Sequence, residues 1–431
     1  MTKMRNEYED YSPFFVKPHT LASLGLLVCT IFLISNTDVL FDQAAAAESD
    51  PRDIVPSPVA FNALKGVAVM FLGVGAIHLP NTIMTRPISF LWRVLLATFI
   101  MYIAFMTFLY MLPVSHARMF LTVFDSNLGK PLPERSYADD CRVYTPENPE
   151  SQFANISGAV WDCHFLAHFA GWWGKMLFMR DWYIAWICSI MFEICEITFR
   201  HWLPNFYECW WDHLFLDLFG CNLIGIILGH FTLKYYGIPK IKWVLGSVKE
   251  EKKEGCATNK LKSLVEKIKP DILEHYQWSA LKDTNRLFGV TAFIVVCLVA
   301  DCNNFFMKFL LWVPPEHVLL QFRVVLIGLC AIPTAKEWYE FISNEHCHRL
   351  GPFAWCMIFN ACIETLIVIK FQGNAFVAPF PMHVKIIWSV IGAVYTGLFV
   401  QAATNQMRTT KLNENEPTYN PYNPQITTEE H

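Results

Sequence analysis

The sequence predicts an all-α, polytopic membrane protein with about ten transmembrane helices. Three observations predict it. Hydrophobic residues make up 54% of the 431 residues and charged ones only 17%, where soluble chains carry about 25%. The apolar residues gather into runs of about 20, the length that crosses a bilayer as a helix. Phe (35) and Trp (15) are abundant, as expected where aromatic rings sit at membrane interfaces. The net charge of −4 is slight, and nothing in it points to a nucleic-acid partner.

Residues 1–18 form a cytosolic N-terminal segment. MTKMRNEYEDYSPFF mixes charges and leads to no small-residue cleavage site, so the first apolar run is expected to stay as an anchor. Ten runs follow within a transmembrane domain spanning 19–405: 19–37, 60–79, 89–112, 163–179, 182–202, 210–233, 286–312, 317–335, 351–371 and 383–403. The fourth, HFLAHFAGWWGKMLFM, is short and reads as a span, a re-entrant segment or an interfacial one. The connection 234–285 is rich in lysine, including Lys240, Lys242, Lys249, Lys252, Lys253 and Lys260, which assigns it to the cytosol. Six runs before it and four after it then put both termini in the cytosol and the 113–162 loop in the lumen. Asn155-Ile156-Ser157, the only N-x-S/T sequon, falls in that loop and makes Asn155 a glycosylation candidate. Cys141 and Cys163 share that oxidising side and are the candidates to pair. No CxxC pair or zinc-type Cys/His spacing occurs. The last stretch, 406–431, is polar and rich in Pro and Asn and reads as a disordered cytosolic tail.

The fifth and sixth runs carry the chemistry. FEICEITFRHWLPNFYECWWDHLFLDLFGCN (192–222) is apolar enough for a membrane yet holds Glu193, Glu196, Glu208, Asp212 and Asp217. One ionisable residue inside a span costs roughly 2.5–3.5 kcal/mol on insertion scales, so several acids must face a polar cavity, share protons or bind cations. Glu193 and Glu196 are three apart and share a helix face. Glu208 and Asp212 are four apart and share one if the sixth helix begins at the turn. Asp217 and Asn222 follow, and the LPNFYECWW turn folds the two runs into a hairpin that converges the acids. Such oxygen donors suit a hard divalent ion. His168, in the preceding run, is the candidate general base, with an ordinary pKa of about 6.5, and His164 is its competitor on the same face.

These residues resemble the phosphatidylserine synthases of the base-exchange type. The motifs are FLAHFAGWWGK (165–175), the 192–222 block, DCNNFFMKF (301–309), IPTAKEWYEF (332–341) and LGKPLPERSYADDCRVY (128–144). The likeness runs from about residue 12 to 405, and the last motif is similar to the ethanolamine-exchanging and plant members. The resemblance implies an endoplasmic reticulum enzyme that depends on Ca²⁺ and replaces a phospholipid head group with L-serine. The donor it favours is phosphatidylethanolamine, with phosphatidylcholine as the other choice. It implies functional roles for His168, Glu193, Glu196, Asn205, Glu208, Asp212, Asp217 and Asn222. The sequence departs from the family at Asp301 (Glu in the family pattern), Asn304 (Thr) and Arg86-Pro87-Ile88-Ser89, which lacks the histidine of RPHP.

On this reading His168 is the catalytic base. Glu196, Asp212, Asp217 and Glu193 are the metal ligands, and Asn205, Glu208, Asn222 and Asp301 bind substrate. Direct attack by the serine hydroxyl and a phosphohistidine on His168 both stay open. Glu364 reads as a structural acid with Lys370 as its partner. The DGxxAR signature of nucleotide-dependent phosphatidyltransferases is missing, since the chain has no Asp-Gly dipeptide. A cation-coupled transporter is the alternative from another class, because intramembrane acids also serve ion paths. Whether copies associate as a homo-oligomer is open.

Overall fold

The computed structural model describes residues 68, 71–73, 75, 79–85, 88–132, 140–147, 151–153, 155–156, 163–203, 206–235, 276, 278–344 and 346–415. Among these the protein is all helical. The expected span 19–37, nearly all of 60–79, most of the Lys-rich connection and the tail from 416 lie outside the described residues.

The helices are α1 (Ser89–Met111), α2 (Val114–Leu121), α3 (Cys163–Met179), α4 (Trp182–Phe199), a π-helix (Asp212–Asn222), α5 (Leu223–Tyr235), α6 (Thr284–Leu310), α7 (Val318–Ser343), α8 (Pro352–Gln372), a 3₁₀ turn (Gly373–Val377) and α9 (Met382–Asn415). Seven of the described segments are long and apolar enough to cross a membrane, the π-helix and α5 together counting as one. This is a multi-pass membrane protein. Helix α3 has 17 residues, about 26 Å of rise, short of a hydrocarbon core of about 30 Å, as the weak fourth run anticipates.

Local chemistry fixes where helices start. Asp181 caps α4 by accepting from the N–H groups of Tyr183 (2.8 Å) and Ile184 (3.0 Å). Asp283 does the same for α6 through Arg286 N (2.8 Å). Helix α8 begins at Pro352 and is capped from outside: Glu337 of α7 accepts from Ala354 N at 2.9 Å. A side chain at Gly351 would collide with that carboxylate, since an added Cβ would stand 2.5 Å from Glu337 Oε2. This explains why α7 runs on to Ser343 and does not stop at 335. The Glu337 side chain is spent on a neighbouring helix end, and Pro333 is accommodated within the helix. Helix α9 likewise continues to Asn415, past the start of the polar tail, since extending a helix costs far less than nucleating one.

Helices α3 and α5 lie side by side because the GIILG stretch of α5 removes the side chains between them. A Cβ at Gly225 would stand 2.6 Å from Phe169 O, and one at Gly229 2.6 Å from Met176 Cβ. Small residues four apart are the usual means of bringing membrane helices to close approach. Two apolar clusters fill the bundle. One includes Leu96, Phe99, Tyr110, Phe306 and Phe353, and the other Trp172, Met176, Phe192, Trp278 and Trp338. Apolar side chains such as Phe90, Ile190, Phe231 and Val325 point outward, as a bundle in lipid requires.

Glu364 is structural, but its partner is Arg323, not Lys370. Arg323 Nε and Nη2 donate to the two Glu364 oxygens at 3.0 and 2.5 Å, and Tyr102 Oη donates to Oε1 at 2.7 Å. Lys370 Nζ turns to the carbonyls of Tyr110 (2.6 Å) and Leu112 (3.3 Å) at the open C-terminal end of α1. There a cation satisfies carbonyls that have lost their helical partners.

Candidate active site

The site forms where α3, α4 and the π-helix meet. Its register depends on the π-helix. Asp212, Asp217 and Asn222 are five apart, which an α-helix would spread by roughly 140° at each step. Hydrogen bonds of the i→i+5 type stack such residues on one face. The outer face keeps the same spacing, with Leu214 40% and Phe219 49% exposed, while Asp217 and Asn222 are buried. Gly220 suits this winding, because a Cβ there would come within 3.0 Å of Phe215 O, the carbonyl five residues back.

Helix α4 presents Ser189, Glu193 and Glu196 to that face. Asn222 Nδ2 donates to Ser189 Oγ and to Glu193 Oε1, each at 3.0 Å, so the amide clamps the π-helix to α4 and orients Glu193. The other Glu193 oxygen lies 3.1 Å from His213 Nδ1. Glu196 Oε2 lies 3.4 Å and Glu208 Oε2 3.8 Å from the same nitrogen. His168 Nδ1 on α3 lies 3.5 Å from Asp217 Oδ1. Two sets of ligand atoms converge to within 4.8 Å of one another: Glu193, His213 and Asp217, and Glu196, Glu208 and His213.

The electrostatics of this cluster are unfinished. Glu196 is 2% and Asn222 0% exposed, yet Glu196 Oε2, Glu208 Oε2 and Asn222 Oδ1 have no hydrogen-bond donor. A buried polar atom left unpaired costs about 1–3 kcal/mol, more when charged. Glu208, in the connection between spans, has its carboxyl held well above the usual carboxylate range, first by burial and then by the charges of Glu196 and Asp217. Converging acid oxygens without donors are what a hard divalent cation needs, and Ca²⁺ or Mg²⁺ fits this donor set.

The structure thus brings together His168, Glu193, Glu196, Glu208, Asp217 and Asn222. Asp212 stands on the same π-helix outside both converging sets. Glu208, read as a substrate contact, lies with Glu196 and His213. Asp301 also stands apart from the acids: its carboxylate accepts from Lys175 Nζ at 2.8 Å, and that ammonium lies 3.8 Å from the Trp172 ring centre. Asn205 and the side chain of His164 lie outside the described residues. The amide nitrogen of Asn155, the atom that glycosylation would modify, donates to the carbonyls of Asp140 (3.1 Å) and Arg142 (2.9 Å).

Two features escape the sequence reading. His213, beside Asp212 in the quoted block, joins both converging sets. The signal for it was its place four residues before Asp217, one turn away on either kind of helix. Cys141 pairs with Cys209, not Cys163. The disulfide, together with the bond from Trp211 Nε1 to Cys141 O (3.1 Å), ties the 140–147 loop over the turn that leads into the π-helix.

Comparison with known proteins gives consistent results. A family model described as phosphatidyl serine synthase matches residues 87–372. CDP-diacylglycerol–serine O-phosphatidyltransferase 2 of Oryza sativa subsp. japonica is 35% identical over 90% of this chain and 88% of its own length. Phosphatidylserine synthase 2 of Homo sapiens is 33% identical over 89% of this chain and 75% of its own. Phosphatidylserine synthase 1 of Danio rerio is 29% identical over 89% and 78%.

Proposed function

The chain belongs to the phosphatidyl serine synthase family, and from that premise we propose how it makes phosphatidylserine: by exchanging a phospholipid head group for L-serine, with phosphatidylethanolamine as the favoured donor. Family membership sets aside the transporter reading. The observation that carries the proposal is the pairing of His168 with Asp217 beside converging acids that lack donors. Asp217 holds the Nδ1 side of His168, at the limit of hydrogen-bond distance, and so turns Nε2 toward substrate. His168 Nε2 takes the proton of the serine hydroxyl as its oxygen bonds to phosphorus. It then returns that proton to the ethanolamine oxygen as the old P–O bond breaks. One bond forms and one of the same kind breaks, so no nucleotide is consumed. A divalent ion, Ca²⁺ in this reading, would be held by Glu193, Glu196, Glu208 and Asp217 and would supply charge neutralisation for the phosphodiester.

The site opens toward the lumen of the endoplasmic reticulum in this reading. A disulfide between Cys141 and Cys209 supports an oxidising compartment on that face. The Lys-rich connection supports cytosol on the other.

The printed names of the plant relatives favour a second reading in one respect, the donor: CDP-diacylglycerol in place of a phospholipid. The absence of any Asp-Gly dipeptide argues against it. The test is the full chain in detergent with labelled serine and either donor. The proposal expects ethanolamine release from phosphatidylethanolamine and its loss on chelation of divalent ions. Release of CMP from CDP-diacylglycerol with no ethanolamine release would overturn base exchange, and turnover that survives chelation would overturn the role of the ion.

A further inference from the structure

We propose that His213 is a nitrogen donor to the ion that the acids hold, so that the site binds Mn²⁺ more tightly than Ca²⁺. This rests on the reading of the cluster as an ion site. Three observations carry it. His213 Nδ1 is the point on which the acids converge, 3.1 Å from Glu193, 3.4 Å from Glu196 and 3.8 Å from Glu208. Two donors at right angles around an ion, each about 2.1 Å away, stand about 3 Å apart, so the separations to Glu193 and Glu196 are close to those of groups sharing one ion, and Glu208 stands somewhat farther off. His213 also belongs to both converging sets. An ion placed to satisfy either pair of carboxylates therefore meets the imidazole. Independently, the buried Glu196 Oε2 and Asn222 Oδ1 have no donor, which marks the cluster as lacking a positive partner.

The chemical consequence follows from donor type. Ca²⁺ prefers six to eight oxygens at 2.3–2.6 Å. Imidazole suits first-row transition ions, and of these Mn²⁺ is the one that carboxylates also suit, so a carboxylate set with one nitrogen discriminates it from Ca²⁺. An all-oxygen set would favour Ca²⁺, whereas a set with a fixed nitrogen at its centre shifts preference to Mn²⁺.

The experiment uses the full chain, purified in detergent and loaded with Mn²⁺. Electron spin-echo spectroscopy of the bound ion is expected to carry the ¹⁴N modulation of a coordinated imidazole. In His213→Gln, which keeps a donor atom of similar reach, the modulation disappears. Mn²⁺ affinity falls on the order of tenfold, the scale on which groups of a ligand shell act, while Ca²⁺ affinity changes less. In His168→Gln the modulation stays. Bound Mn²⁺ without ¹⁴N modulation in the wild-type protein overturns the inference while leaving the ion site standing, as does modulation lost in His168→Gln. Should His213→Gln fail to fold, the wild-type and His168→Gln spectra decide the matter. Failure of the wild-type protein to bind either ion sinks the inference together with the reading beneath it.

Discussion

Two buried polar clusters sit in this bundle, and they are built in opposite ways. Around Glu364, which is 0% exposed, both carboxylate oxygens accept from Arg323, and Tyr102 adds a third bond. Arg323 spends two further N–H groups on Asn304 Oδ1 (2.9 Å) and Ala300 O (3.2 Å). Charge is balanced, and helices α1, α6, α7 and α8 are tied at one point. Around Glu196 the acids outnumber the imidazoles that face them, and three buried oxygens have no donor. Desolvating a charge costs several kcal/mol unless a partner compensates it. A complete pair at membrane depth serves the fold. An incomplete one leaves acid oxygens without donors, which is the arrangement the proposed cation role requires.

The comparison breaks first on charge removal. Glu364→Gln leaves Arg323 buried with no carboxylate and is expected to cost about 3–5 kcal/mol, visible as loss of monodisperse protein on size-exclusion chromatography after detergent extraction. Glu196→Gln removes one acid from a cluster in which acids outnumber their partners. That protein is expected to extract as well as the wild type while phosphatidylserine formation falls at least 10²-fold, the lower end of what removing an electrostatic contact to a transition state costs. If Glu196→Gln is lost from the membrane as Glu364→Gln is, the two clusters are alike and the acid site is structural.

A narrower cut separates the two functions inside the acid site. His168→Ala removes the proposed base but none of the carboxylates, and activity is expected to drop 10²–10⁴-fold. Ion binding by direct titration should stay. Loss of both together would show that His168 holds the cluster in shape and does not move a proton.

The clustering was legible in the sequence because membrane burial makes acids conspicuous. Five of them fall within Glu193–Asp217, and His168 drew notice by its place in the run just before them. The rest was hidden by geometry that no period reveals. An α-helical reading puts Asp212 and Asp217 on different faces, and only the π-helix stacks them. The eighth run reads as ending at 335, short of Glu337, and only the position of α8 shows that acid to be a cap. The partner of Glu364 was misread because Lys370 is near in sequence, whereas Arg323 is 41 residues away and near in space. The same holds for Cys141, whose partner Cys209 lies 68 residues on, beyond the closer Cys163.

That disulfide sets a smaller effect. Cys141→Ser is expected to cost roughly 2–4 kcal/mol, read as a lower midpoint of thermal unfolding, and to lower activity through the turn that leads into the π-helix. Cys209→Ser should match it, and the double variant should be no worse than either alone. Peptide mapping without reduction should recover residues 141 and 209 in one cross-linked species, and a cross-link from Cys141 to Cys163 instead would return the assignment to the sequence reading.

The smallest effects test how closely His168 must be held. At Gly225 an added Cβ meets Phe169 O at 2.6 Å and Trp172 Cβ at 3.0 Å, so Gly225→Ala must push α3 outward by roughly half an ångström. His168 is one residue from Phe169 and moves with it. A misplacement of about 1 Å costs on the order of 10²-fold, so this smaller shift is expected to lower kcat by roughly tenfold at unchanged ion affinity. Gly174, on the same helix α3, has nothing within 4 Å of its would-be Cβ. Gly174→Ala is expected to leave activity unchanged and to stabilise the helix by up to about 1 kcal/mol. The pair therefore separates a contact that positions the base from a helix that merely carries it. Equal activities in the two variants would mean that α3 tolerates displacement, and that the pairing of His168 with Asp217 is not what sets the rate.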